Sequence, residues 1–322
     1  MNVLLDMLVT GLPLLPAIVG SYLLFRVLND FDLTIDGSFV TGAGVCVVLM
    51  NHGVPAGAAV TVAFLAGGAT GLVTTALHVW LRMPILLTGL AMSLMLFSVN
   101  LYIMKSPTLA VPGTGLFSPF TSLSGHTRDL ATSALLLVID VLLLGLVGAF
   151  LKTEVGLALR ATGINPTMAQ AQGVSRTVVV AIALGLANAC TALGGALSAQ
   201  VQGFVDVNGG TGTLIAAVGA ILLGELILRP RPSTVFRAMI ALLVGCLLYR
   251  LVLVGSLRLG LPATDLKLVM GATLVAAVAI QLGGHQVGVH LPSVLGRRIR
   301  TELTPNTVIE SQLEEPRRAR TA

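Results

Sequence analysis

The chain has 322 residues, 55% of them hydrophobic and only 10% charged, with a mean hydropathy of +0.94. A soluble globular domain carries about 25% charged residues, so this chain has too few polar groups to cover its own surface, and lipid is the solvent for much of it. The net charge of +5 does not point to nucleic acid, because the basic residues gather at the ends of apolar segments and in the tail, with few aromatics between them.

A helix needs about 20 apolar residues to cross a bilayer. In chain order, the windows of that character are 3–25, 33–50, 56–81, 84–104, 131–151, 178–199, 213–228, 234–254 and 263–282. The first basic residue is Arg26, so window 3–25 has no positively charged leader and reads as a retained span, not a cleaved signal peptide. Window 213–228 is short, and Gly-rich or Pro-rich breaks flank several others. These features predict broken or re-entrant segments, which are tolerated only where protein or a wet cavity surrounds the exposed backbone. The expected fold is an all-α polytopic membrane protein of about eight to ten transmembrane helices, over residues 1–282, followed by a polar tail, 283–322. The tail's mixed charge predicts disorder.

Four basic clusters orient the chain: Arg82; Lys152, Arg160 and Arg176; Arg229, Arg231 and Arg237; and Arg297, Arg298 and Arg300. Nine spans put all four on one side, which the positive-inside rule makes cytoplasmic. The N-terminus, Arg258 and the 105–132 loop then fall outside.

Two polar stretches interrupt the apolar windows. Residues 29–44, NDFDLTIDGSFVTGAG, carry acids and hydroxyls that cannot face lipid, and glycines that permit tight turns beside a cavity. Residues 203–213, GFVDVNGGTGT, lead into the short seventh window, where helix N-terminal amides could meet a polar solute. An ordinary interhelical turn packed on small residues fits either stretch equally well.

A third stretch, 152–176, KTEVGLALRATGINPTMAQAQGVSR, has the punctuation of a short helix. Asn165 suits its N-cap, Pro166 its first turn and Gly173 its end. A helix of about two turns does not persist in water unless packed against something. An exposed, well-capped helix between spans therefore predicts a partner protein, with a docking face that includes Ala169.

No Gly-Lys dipeptide occurs, so the chain has no Walker A loop, and HExxH, GxSxG and CxxC are absent too. Catalysis by this chain is not expected, and any ATP hydrolysis would have to occur on another chain. Cys46, Cys190 and Cys246 are far apart in apolar windows and read as small buried hydrophobes, giving no metal site and no disulfide framework. Asp140 and Glu225 are ionisable groups within spans, either bundle-facing and structural or part of a proton relay. Glu225 is expected to pair with Arg229 one turn on. Asp6, Asp265 and Lys267 lie near span ends, where they can snorkel.

DLTIDGSFVTGAG at 32–44 and EVGLALRATGINPTMAQAQGVS at 154–175 together resemble ABC importer permeases of the branched-chain amino acid and ribose permease superfamily. Within it they are most like the uncharacterised, tryptophan/tyrosine-type branch. The resemblance covers roughly residues 4–282. It implies a multi-pass subunit of the bacterial inner membrane, paired as a homodimer. Two separate ABC ATPase subunits would hold ATP and Mg, with no cofactor on this chain, and an extracytoplasmic solute-binding protein would deliver a small polar solute. An amino acid is the expected solute; a sugar or nucleoside is the alternative. The resemblance also makes 166–172 similar to a coupling helix, with Arg160, Ala161, Gly163, Asn165, Pro166, Ala169, Gln170 and Gly173 as the ATPase-coupling residues. Asp32, Thr34, Asp36 and Ser38 would flank the translocation path, and the stretch bearing Asn208 and Thr211 would gate it. The rival readings are a proton-coupled secondary transporter using Asp140 and Glu225, and a scaffold subunit without a solute path.

Overall fold

Pro13 and Pro16 lack the amide protons that a continuous helix would need, so the first span is assembled from pieces. In the computed structural model, which describes residues 3–113, 115–120, 125–228 and 235–286, α1 (Val3–Gly11) passes through a 3-10 turn (Leu12–Leu14) into α2 (Leu15–Tyr22). A π-helical segment (Leu23–Leu28) follows and ends at Asn29, whose φ of 60° is left-handed. The expected break in a span is therefore in the first one.

The remaining helices are α3 (Thr34–Asn51), α4 (Ala56–Leu81), α5 (Ile85–Met104), α6 (Gly125–Phe150), α7 (Glu154–Ile164), α8 (Pro166–Ala171), α9 (Arg176–Gln202), α10 (Thr213–Leu228), α11 (Val235–Arg258) and α12 (Leu266–Gln286). Seven helices among the described residues, counting the composite first span as one, are long and apolar enough to cross a membrane, and Thr213–Leu228 and Leu266–Gln281 are shorter apolar helices. The chain is an all-α polytopic membrane protein. Two strands were not expected: β1 (Thr108–Ala110) and β2 (Phe204–Asp206) pair antiparallel, Thr108 opposite Asp206. The ribbon ties the loop before α6 to the loop after α9.

The centre of the bundle is α9, flanked by α2, α3 and α4. Every residue from Ala187 to Ala192 is buried, which small side chains allow on all sides of one helix. Gly195 rests on the Phe39 carbonyl, and an added Cβ would fall inside that oxygen's van der Waals envelope. Backbones in such contact gain dispersion attraction and contribute no side-chain entropy loss, which is the main source of helix association in lipid. Leu65 on α4, Leu94 on α5 and Leu142 on α6 are exposed, as lipid-facing side chains are.

Two ion pairs lie at opposite ends of the first span. The Arg26 guanidinium donates through Nε to Glu225 Oε1 at 2.7 Å and through Nη2 to Glu225 Oε2, with its carbon 5.1 Å from the centre of the Phe25 ring. Glu225 thus pairs with a residue of another span, because the last turns of α10 lie against the end of the first span. Arg229, the expected partner, is outside the described residues, as are Arg231, Arg297, Arg298, Arg300 and the tail beyond Gln286. Asp6 does not snorkel alone: Arg258 Nη2 donates to its Oδ2 at 2.7 Å, joining the start of α1 to the end of α11. A compact unit extends to Ala277, and a second begins at Val278.

Candidate functional site: a buried polar cluster and an exposed elbow

The turn after Asn29 carries Asp32 back into the protein, where it is 1% exposed. A carboxylate so placed requires partners. Its Oδ1 accepts the Thr34 amide at 2.8 Å, satisfying a free donor at the start of α3, and its Oδ2 accepts from Asn188 Nδ2 on α9 at 3.0 Å. Asn188 Oδ1 in turn accepts from Ser38 Oγ at 2.7 Å, and Ser38 Oγ lies 2.7 Å from Thr70 Oγ1 on α4. One helical turn away, Thr34 Oγ1 is 3.1 Å from Thr74 Oγ1. Gly89 on α5 closes the cluster, since a Cβ there would collide with Asp32 Oδ1. Burial pushes the Asp32 carboxyl above the ordinary carboxylate range, and the hydrogen bonds from Thr34 and Asn188 act in the opposite direction.

Asp32, Thr34 and Ser38 are therefore brought together, and each faces a neighbouring helix in a closed, fully paired cluster. Asp36 is separate and half-buried. Its Oδ2 accepts the Gly212 amide at 3.1 Å and its Oδ1 the Leu214 amide at 2.9 Å, so the carboxylate caps the N-terminus of α10. The 32–44 and 203–213 stretches meet through this contact. Asn208 and Thr211 stay on the exposed loop between β2 and α10, where Asp206 Oδ1 accepts the Asn208 amide at 2.7 Å and Thr211 Oγ1 donates to the Asn208 carbonyl.

Asn188, Thr70, Thr74 and Gly89 are absent from the sequence-derived set. Asn188 had a legible signal, as a lone amide in an apolar span that must find a partner within the bundle. Thr70 and Thr74 had only their spacing of one turn, which many lipid-facing threonines share.

The elbow between α6 and α9 is built as its punctuation predicts and extends further. Thr153 caps α7, its Oγ1 accepting the Gly156 amide at 3.3 Å. Asn165 ends α7 and starts α8, its Oδ1 accepting the Met168 amide at 3.0 Å, with Pro166 in the first turn. The Gly173 amide donates to the Gln170 carbonyl at 2.9 Å and the Val174 amide to the Ala169 carbonyl at 3.1 Å. That pair of bonds, with Gly173 at φ 84°, is a Schellman termination. Helix α8 is six residues long, shorter than two turns because the Schellman turn uses its last carbonyls.

Ala169 is 2% exposed and faces the bundle, which corrects its placement on the docking face. A helix this short must spend one face on anchoring, and Ala169 is on that face. Apolar surface is instead presented by Ile164, 85% exposed, and Met168, 52% exposed, with Pro166 and Gln170 beside them. Arg160, Ala161 and Gly163 are half-buried in α7. Gly163 sits on the Val27 carbonyl with no room for a Cβ, so the elbow is seated directly on the end of the first span. Asp140 is fully buried on α6, and neither of its carboxylate oxygens has a hydrogen-bond partner among the described residues. It faces the bundle.

Residues 3–278 match the family of the branched-chain amino acid transport system permease component. The chain belongs to that family. A relative from Clostridioides difficile (strain R20291), a tyrosine transport system permease protein, is 31% identical over 261 residues, 81% of this chain and 85% of that protein. An uncharacterized protein of Rickettsia prowazekii (strain Madrid E) is 32% identical over 281 residues, 87% of this chain and 98% of that one. The autoinducer 2 import system permease protein of Photorhabdus laumondii is 28% identical over 250 residues, 76% of this chain and 72% of that one. No solved structure matches significantly. The permease is thus an ABC-type transport subunit, a multi-pass protein of the bacterial inner membrane and not itself an enzyme.

Proposed function

We propose that the permease forms the translocation path of an importer for a small polar solute, an amino acid, delivered by an extracytoplasmic binding protein. Separate ATPase subunits drive it and hold the ATP and Mg, and the permease works as a homodimer. The tyrosine transport permease among its relatives supports an amino acid. The autoinducer 2 import system permease, at lower identity, shows a relative named for a solute other than an amino acid, and a sugar or nucleoside is the second reading.

One observation carries the proposal: an apolar, twice-capped elbow lies seated on the first span. Ile164 and Met168 offer the ATPase a hydrophobic knob of the kind that fills a groove in a partner. Force arriving there passes through Gly163 to the Val27 carbonyl, and from the π-helical segment into the Asp32 turn. Asp32 holds α9 through Asn188, and Asp36 holds the start of α10. A rigid-body shift of the elbow therefore acts on the elements that flank the path, and reorients them between two access states. ATP drives the change only through its differential affinity for those states. The cluster around Asp32 is closed in this conformation, and opening it would expose Asp32, Thr34 and Ser38 to the path. The loop carrying Asn208 and Thr211 gates the other side.

Reconstitution tests this. Proteoliposomes holding the permease with its ATPase take up solute only with ATP inside and binding protein outside. Uptake by the permease alone under a proton gradient would instead establish a secondary transporter, with the buried Asp140 as its titrating group.

A further inference from the structure

A cleft of about 270 Å³ opens between the end of α4 and the start of α9, lined by His78, Val79, Arg82, Arg176, Thr177 and Val180. Two arginines and a threonine are among its lining residues, and neither Arg82 nor Arg176 has an ion-pair partner among the described residues. The His78 ring is fixed, its Nδ1 2.5 Å from the Met83 carbonyl, an arrangement that puts the ring proton on Nδ1. Two arginines on one cleft, with no anion supplied by the described residues, suit a phosphate, and arginine fits it by its forked geometry.

The walls show which phosphate. Val79 and Val180 make part of the lining apolar. Leu65, Leu72 and Val79, seven residues apart on one face of α4, form an exposed apolar stripe that runs from the bilayer into the cleft. Trp80, the chain's sole tryptophan, is 82% exposed beside it. Tryptophan rings settle at the headgroup level of a membrane, and the basic residues place this end at the inner leaflet. Basic pockets between spans on that side suit anionic headgroups.

We infer that this cleft binds the phosphate of an anionic phospholipid, with the headgroup between Arg82 and Arg176 and an acyl chain along the stripe on α4. The recognised chemistry, a phosphate oxyanion, is shared with free phosphate; the stripe and Trp80 favour the lipid. The bound lipid stands directly beyond the α7–α8 elbow, since Arg176 opens the helix that leaves it.

Trp80 is the reporter. The full-length permease is placed in phosphatidylcholine nanodiscs, and brominated phosphatidylglycerol or brominated phosphatidylcholine is added in increasing mole fraction. Half-maximal quenching is expected at about fivefold lower mole fraction of the anionic lipid for each engaged arginine. The double variant R82Q/R176Q brings the two lipids to equal quenching, while R82K/R176K keeps a preference. The lysine pair retains charge, so it separates loss of the site from loss of fold. Equal quenching by both lipids in the native chain overturns the inference, as does a preference that persists in R82Q/R176Q. If millimolar inorganic phosphate erases the preference, the cleft belongs to free phosphate and the lipid assignment falls.

Discussion

The Asp36 carboxylate accepts the backbone amide of Leu214 at 2.9 Å, linking the second span to the N-terminus of α10 across 178 residues of sequence. With the Gly212 amide on its other oxygen, one side chain fixes where α10 begins. An aligned carboxylate at a helix N-terminus satisfies free amides and opposes the positive end of the helix dipole. Asp36→Ala is expected to cost about 1 kcal/mol and to lower the thermal midpoint in detergent. Asp36→Asn retains an acceptor and should lose less than half as much. Equal losses in the two variants would show that the carboxylate acts through its charge and not through an acceptor that an amide can replace.

Asn188 is expected to be the most sensitive polar position within the spans. Asn188→Leu fits the volume but leaves Asp32 Oδ2 without its donor and Ser38 Oγ with Thr70 alone, at a cost of about 1–3 kcal/mol. A double-mutant cycle with Ser38→Ala measures the shared part. Coupling of about 0.5 kcal/mol or more is expected for side chains in direct contact, and additive losses would mean that the 2.7 Å contact carries no energy of its own.

Gly89→Ala puts a methyl group against Asp32 Oδ1 and the Leu33 amide, and neither backbone nor buried carboxylate can yield cheaply. We expect a drop in stability of about 1–3 kcal/mol, the range for overpacking. Gly57→Ala, a control with nothing within 4 Å of the added atom, is expected to be neutral. A stable, active Gly89→Ala protein would show that the Asp32 turn is mobile enough to move away.

At the elbow, the two faces of α8 are expected to respond differently. Ala169→Arg forces a charge into the anchoring face and should unseat the helix, lowering stability as well as transport. Met168→Glu changes only the exposed face, so the thermal midpoint should hold while ATP-driven uptake falls at least tenfold. Parallel behaviour of the two variants would contradict the division of faces.

Much of this was readable in the residues. Asn165, Pro166 and Gly173 marked the ends of α8 because caps and terminators act locally, within one turn of chain. The polar character of 32–44 marked the closed cluster because acids cannot face lipid. The pairings were not readable. Arg26 and Glu225 meet across 199 residues, and nothing in either local sequence encodes the other. Ala169 is ambiguous in sequence, because a small residue on a short exposed helix is compatible with either side. Only the seating of α8 against the bundle decides which face is spent on anchoring. Asn188 was legible in kind, a polar group in an apolar span, but its bond to Asp32 depends on how α3 and α9 cross.

The most direct test is site-specific crosslinking from Ile164→Cys, in a chain whose three native cysteines are all buried. In native membranes a short thiol crosslinker should join this position to the ATPase subunit, with a yield that changes when ATP is bound. No adduct with the ATPase, or labelling of the same position by an impermeant thiol reagent added outside intact cells, would contradict the account.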